Sequence, residues 1–179
     1  MPEPSRVVLF GPESTGKSSL AEHLAGVFGE PWSREYVREF WDAHDGRITA
    51  DDLDAIGRGQ VAGEEAAAAA ARRVVFHDTD LLTCRLWDDL LFPGACPAWV
   101  RAEGEARARA ADLYLFCEAD LPWEPDPQRC FPDEAGRRGC RDLFLETLRA
   151  LGIAPVMIAG DWAERRATAE AAVRAILKS

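Results

Sequence analysis

The chain has 179 residues, 47% of them apolar, and a formal charge of −10 at pH 7. That size and apolar share suit one domain with a substantial core, so residues 1–179 are read as a single unit. The acidity argues against nucleic acid as a main partner, because phosphate-backbone binding needs a net basic face, whereas one local cluster of Lys and Arg is enough for a nucleotide. The N-terminal Met-Pro-Glu-Pro-Ser-Arg lacks the basic-then-apolar pattern of a signal peptide, and no apolar run approaches membrane-spanning length. A cytoplasmic protein without a membrane partner is expected. The five cysteines (Cys84, Cys96, Cys117, Cys130, Cys140) are odd in number and form no CxxC pair, which reads as reduced thiols.

In chain order, Val7–Phe10 is a continuous apolar run, the pattern of a strand buried on both faces. A helix follows from Lys17, with Leu20, Leu24, Val27 and Phe28 on one face and Gly29 as its stop. A second helix begins near Asp51, where Thr49 can cap with Asp52 three residues on, and it continues through Ala66–Ala71 to Arg73. Val74–Phe76, Leu113–Cys117 and Pro155–Ala159 repeat the buried-strand pattern. Residues 121–140 hold four prolines and two glycines with little apolar periodicity, which reads as a long inserted loop. Helices from Arg141 to Leu151 and from Trp162 onward complete the chain. The four buried-strand runs alternating with helices predict a three-layer α/β fold with a parallel sheet, in which five strands are expected in all.

The sharpest feature is Gly11-Pro12-Glu13-Ser14-Thr15-Gly16-Lys17-Ser18, a full GxxxxGK[ST] phosphate-binding loop between a strand and a helix. Gly11 and Gly16 let the backbone turn tightly and approach phosphates. Amides from Gly11 through Ser18, with Glu13, Ser14, Thr15 and the following Ser19, form the expected ATP cradle at a helix N-terminus. Lys17 neutralises β/γ charge and the Ser18 hydroxyl is a ligand for Mg²⁺.

Strand Val74–Phe76 runs into His77-Asp78-Thr79-Asp80, at the strand end where open parallel sheets bind ligands. Two readings fit these carboxylates. One serves Mg²⁺ or accepts a proton from an attacking hydroxyl; the other caps the next helix, as Asp80 or Thr79 could. His77 reads as a strand residue. In Arg34-Glu35-Tyr36-Val37-Arg38-Glu39-Phe40, helical spacing sets Arg34 against Arg38 and Glu35 against Glu39, so these charges need partners outside their own helix, ligand or protein. Arg129, Arg137, Arg138 and Arg141 in or beside the long loop suit a lid that excludes water and stabilises a moving phosphoryl group. Arg165 and Arg166, after the last strand, fit either an adenine border or a solvated helix start.

Together these motifs resemble the ribosylnicotinamide kinase domain of the NadR-type NAD-biosynthesis proteins, a group of AAA-like P-loop ATPases and kinases. The matching stretches are GPESTGKSSLAEHLA at residues 11–25, EYVREF at 35–40, DLDAIGRGQ at 52–60, HDTDLLTCRLW at 77–87, PWEPDPQR at 122–129 and GDWAERR at 160–166. The resemblance implies phosphorylation of nicotinamide riboside at its 5′-hydroxyl, with ATP and Mg²⁺, to give nicotinamide mononucleotide. It assigns Lys17 and Ser18 to ATP–Mg²⁺, Asp78 and Asp80 to metal and substrate, Glu35 and Arg38 to the riboside, and Arg129 and Arg141 to a lid. Arg165 joins the ATP contacts, and Tyr36, Trp87 and Trp123 stand among the aromatics available to the nicotinamide ring. The chain starts just before the phosphate-loop strand, so the kinase alone is expected, without adenylyl transfer or repression. The alternatives are another nucleoside or nucleotide kinase on this fold, or an ATP-binding switch of AAA type. Against the switch, 179 residues leave little room for a second helical domain, and no apolar run ends in an Asp-Glu pair.

Overall fold

The computed structural model describes residues 3–178. Five strands alternate with helices: β1 (Ser5–Phe10), α1 (Lys17–Phe28), β2 (Trp32–Ser33), α2 (Tyr36–Ala43), α3 (Leu53–Ala70), β3 (Val74–Asp78), α4 (Leu81–Leu91), α5 (Ala98–Ala110), β4 (Leu113–Cys117), α6 (Glu134–Ala150), β5 (Val156–Ile158) and α7 (Trp162–Ile176). All strand pairs are parallel, in the order β2-β3-β1-β4-β5. The phosphate-loop strand β1 is therefore central, flanked by β3 and β4. The two-residue edge strand β2 is the fifth strand that apolar runs alone do not announce.

Alternation along each strand divides the core into two layers. Val7, Leu9 and Phe76 face α1 and α7, whose Leu20, Leu24, Ala169 and Val173 are buried against them. Val8, Phe10 and Phe116 face the opposite layer, packing with Leu82 and Leu86 of α4 and Phe144 and Leu148 of α6. In α1 the buried face is Leu20, Ala21, Leu24 and Ala25, ended by Gly29 in the left-handed region, while Val27 points outward at 43% exposure, a correction to the expected stripe.

Residues 121–140 differ most from expectation. The loop ends at Asp133, whose Oδ1 accepts the Gly136 amide at 2.8 Å and starts α6 seven residues earlier than Arg141. Arg137, Arg138 and Arg141 are thus helix residues, and the irregular segment is 121–133. Gly136 suits that first turn because the Phe131 ring lies over it: a Cβ there would meet Phe131 Cδ1 at 2.9 Å. The capping box at Thr49 forms as expected, with Asp52 Oδ2 accepting the Thr49 amide at 2.8 Å. No helix among the described residues is long and apolar enough to cross a membrane.

Candidate active site

The carboxyl ends of β1 and β3 open into a cleft of about 1340 Å³. Its floor is the loop between β1 and α1. Gly11 takes φ 135°, and a Cβ there would lie 2.6 Å from the Cys117 carbonyl oxygen of β4, so only glycine lets the loop leave the sheet at this point. Gly16 takes φ 78° and carries the Trp162 indole directly above it. Thr15 Oγ1 and Lys17 Nζ both donate to the Pro12 carbonyl, at 2.9 and 2.6 Å, which holds the loop curled. The free N-terminus of α1 then points its amides into the cleft, an anion site by construction.

Across from it, Ser18 Oγ donates to Asp78 Oδ2 at 2.5 Å. Asp78 is 3% exposed and its Oδ1 has no hydrogen-bond partner among the described residues. A hydroxyl beside a carboxylate with one oxygen to spare is the donor set a small hard cation takes when phosphates and water complete its shell, so Ser18 and Asp78 fit Mg²⁺. Glu35 precedes α2 and shares this wall. Burial raises its carboxyl above the usual range, and the Asp78 charge raises it further, while Lys17 and Arg38 oppose. Burial raises Asp78 likewise, against Lys17, the Ser18 hydrogen bond, Arg38 and Arg34. The cleft therefore holds two proton-hungry carboxyls within reach of two or three cations. Because α2 begins only at Tyr36, the like-charge helical pairs anticipated for Arg34–Glu39 do not form. Arg38 instead bonds Glu35 Oε2 at 3.2 Å and Asp126 Oδ2 at 3.4 Å.

The 121–133 segment arches over both halves. Glu13 Oε2 and Oε1 accept the amides of Cys130 and Phe131 at 2.8 and 2.6 Å, and the Ser14 hydroxyl accepts that of Glu124 at 3.2 Å. On the other side Asp126 reaches Arg38, and Phe131 stacks on Trp87 with centroids 6.0 Å apart. Arg129 lines the cleft, bonded through one terminal nitrogen to the Glu124 carbonyl while its Nε has no partner among the described residues.

Of the residues singled out in the sequence, Glu13, Ser14, Thr15, Gly16, Lys17, Ser18 and Ser19 line the cleft, as do Glu35, Tyr36, Arg38, Asp78, Trp87 and Arg129. Four others belong elsewhere. Asp80 caps α4, its Oδ1 accepting the Thr83 amide at 3.0 Å and its Oδ2 the Tyr114 hydroxyl, both buried. Arg141 is tied in a two-pronged pair to Glu118, with both bonds at 2.6 Å. Arg165 is fully buried under the phosphate loop, donating to the carbonyls of Thr15, Glu118 and Gly160 and pairing with Asp120. It braces the cradle from below rather than bordering a base. Trp123 does not line the cleft. Conversely, Leu121 and Asp88 line it without any local motif to mark them; Trp162 and Cys84 line it too, within matching stretches that give them no role.

A parallel sheet in this order, with a phosphate loop after its central strand and an acidic tip on its neighbour, defines a P-loop fold of the nucleoside and nucleotide kinase kind. The chain belongs to the AAA-domain family AAA_28, whose profile matches residues 6–165. It is 30% identical over 152 residues to the trifunctional NAD biosynthesis/regulator protein NadR of Salmonella typhimurium, covering 80% of this chain and 35% of that protein. The chain thus spans about a third of the length of the curated relatives it matches. Its fold superposes on a NadR structure in complex with NR at a TM-score of 0.73 and 25% identity, over 98% of this chain and 50% of that one. A deoxyadenosine kinase from M. mycoides shares the fold at a TM-score of 0.62 and 10% identity, over 97% of this chain and 100% of that one. The likeness to NadR-type proteins read from the motifs is met by these matches.

Proposed function

We propose that this chain transfers the γ-phosphoryl group of ATP to the 5′-hydroxyl of nicotinamide riboside, giving nicotinamide mononucleotide and ADP. The observation that carries this reading is half-buried Glu35 and buried Asp78 on the wall of one cleft with Lys17 and Ser18. Phosphoryl transfer needs little covalent help from a protein; it needs the donor fixed, the acceptor hydroxyl aimed in line and the charge balanced.

The phosphate loop and Lys17 hold the triphosphate, and Ser18 and Asp78 would hold Mg²⁺, which when bound neutralises charge on the β- and γ-oxygens. The acceptor oxygen forms its bond to γ-phosphorus as the bond to the β-bridging oxygen breaks. Its proton passes to Glu35, whose carboxyl is raised above the usual range by burial and so suits a proton acceptor. Arg129 and Lys17 stabilise the charge spread over the transferred group. Trp162 above Gly16, with the Arg166 guanidinium 5.8 Å from its ring centroid, provides an aromatic face on the donor side for adenine. The likeness to NadR proteins supports nicotinamide riboside as acceptor over other nucleosides.

The test is ADP release across a nucleoside panel with ATP and magnesium. Nicotinamide riboside is expected as the preferred acceptor, with nicotinamide mononucleotide identified by mass. Turnover on thymidine or deoxyadenosine with none on the riboside would overturn the assignment.

A further inference from the structure

The lining of the cleft extends onto α3 and α4. One wall is Gly63, Ala66 and Ala67; the other includes Cys84, Asp88 and Leu91. Small residues on α3 leave space there, and the only carboxylate among these six is Asp88. It is 5% exposed, and its Oδ2 is buried with no hydrogen-bond partner among the described residues. A buried carboxylate oxygen without a donor is costly, and native structures rarely keep one without a use.

The chain's own charges do not satisfy it. Arg101 acts on Asp88 from α5, but its NH1 and NH2 both bond Asp89, at 2.9 and 2.5 Å. Cys96 supplies a weak thiol donor and Asp89 adds repulsion. Burial raises the Asp88 carboxyl to about 6, which still leaves it mostly ionised at neutral pH. Asp88 and Cys84 both line the cleft, and the Cys84 thiol is raised by burial and by the Glu64, Asp88, Glu35 and Asp80 charges. Asp88 follows one helical turn, about 6 Å, beyond Cys84 on the same face of α4. An acceptor whose hydroxyl meets Glu35 and Asp78 lies in the same cleft that Asp88 lines.

We propose that Asp88 determines acceptor specificity, its Oδ2 accepting a hydrogen bond from, and balancing the charge of, a cationic heterocycle that carries an N–H donor. This rests on the riboside-kinase reading of the cleft. Set among Gly63, Ala66, Ala67, Cys84 and Leu91, one fixed carboxylate is the kind of convergent polar group that orients a ligand. It also discriminates strongly, because a ligand lacking the donor leaves the buried oxygen unpaired.

The experiment is calorimetric binding of nicotinamide riboside and of its reduced dihydropyridine form, which keeps the carboxamide and lacks the ring charge, in the presence of ADP and magnesium. Asp88→Asn is nearly isosteric and Asp88→Leu removes both oxygens. Circular dichroism confirms that each variant is folded, and the asparagine variant carries the test should the leucine one fail to fold. The cationic riboside is expected to bind the Asn variant at least about tenfold more weakly than the parent, a change of the size seen for one charge-assisted contact. The reduced form should change less than threefold with Asn and fall with Leu. Equal binding of the cationic riboside to parent and Asp88→Asn overturns the role of Asp88 and leaves the kinase assignment standing. Binding that weakens as expected, without phosphoryl transfer, supports Asp88 and overturns the assignment; no binding to the parent overturns both.

Discussion

Glu13 Oε1 accepts the main-chain amide of Phe131 at 2.6 Å, joining the phosphate loop to the segment that covers it. With Oε2 on the Cys130 amide, one carboxylate holds two consecutive donors from the far side of the cleft. Replacing Glu13 by Ala leaves two partly buried amides without their acceptor, a loss of about 1 kcal/mol of stability. Amide exchange over residues 121–133 is expected to speed up while the β-sheet keeps its protection, and the KM for ATP to rise. Unchanged exchange in that segment would show that Glu13 is not its tether.

Lys17 Nζ rests on the Pro12 carbonyl at 2.6 Å, a contact that closes the loop on itself and places the ammonium among the amides. Lys17→Ala is expected to lower turnover at least about a hundredfold, the scale for losing one charge-stabilising group in a phosphate site. Far-UV circular dichroism should be unchanged, since the side chain is only partly buried. Calorimetry with ATP and magnesium gives the check: retained full affinity together with retained turnover would remove the phosphate loop from the mechanism.

How far the sequence discloses this molecule follows from how local each signal is. The phosphate loop, four of the strands, the Gly29 stop and the Thr49–Asp52 box are legible because each is set by residues within a few positions of one another. Helix α5 is not, since its buried stripe is Val100, Gly104 and Ala108, two of them too small to register as apolar periodicity. Gly104 is there for close approach: a Cβ would come within 3.2 Å of the Leu81 carbonyl oxygen. The start of α6 hides for a related reason, its first turns being charged and glycine-bearing until Cys140. In the site, Lys17, Ser18, Asp78 and Glu35 are legible by motif. The inward turn of Asp80 and Arg165 is not, because it depends on Tyr114 and Thr15, which lie 34 and 150 residues away in the chain.

Glu64 on α3 accepts from Gln60 Nε2 and from Arg107 Nε, both at 3.1 Å, yet burial raises its carboxyl to about 7, with Asp80 adding to the rise and Arg107 opposing it. The unfolded group titrates near 4.5. Between these values the native state keeps a proton that the unfolded chain has released, so this group lowers unfolding free energy as pH rises through the window. The full effect is roughly 3 kcal/mol at most. His77 works in the opposite sense. Burial first, then Arg6 and Arg107, lowers its pKa to about 4 from 6.5, so its contribution grows as pH rises across that interval. The parent's stability curve is accordingly flattened. Glu64→Gln is expected to be increasingly stable relative to the parent from pH 5 to about 7.5, measured by denaturant unfolding at each pH. A difference that does not vary with pH would count against a shifted Glu64.

Asp78 and Asp80 stand two residues apart at the tip of β3, and the fold gives them different surroundings. Asp78 lines the cleft with one oxygen unpartnered among the described residues, whereas Asp80 has Thr83 on one oxygen and Tyr114 on the other. Asp78→Asn is expected to reduce kcat at least about a hundredfold, the lower range for removing an acid–base or metal-linked carboxylate. Its melting temperature should hold or rise, since a buried, desolvated charge has been removed. Asp80→Asn is expected to lower stability by about 1–3 kcal/mol, because the amide cannot serve both the Thr83 and the Tyr114 donors as a carboxylate does. Its kcat should stay within about threefold, the range for a group that orients nothing in the transition state. Tyr114→Phe should reproduce the stability loss, since it unpairs the same oxygen from the other side. Paired unfolding curves and kcat values for the three variants decide the matter. A kcat collapse in Asp80→Asn with unaltered stability would mean that Asp80 turns toward the reacting groups once substrates are bound.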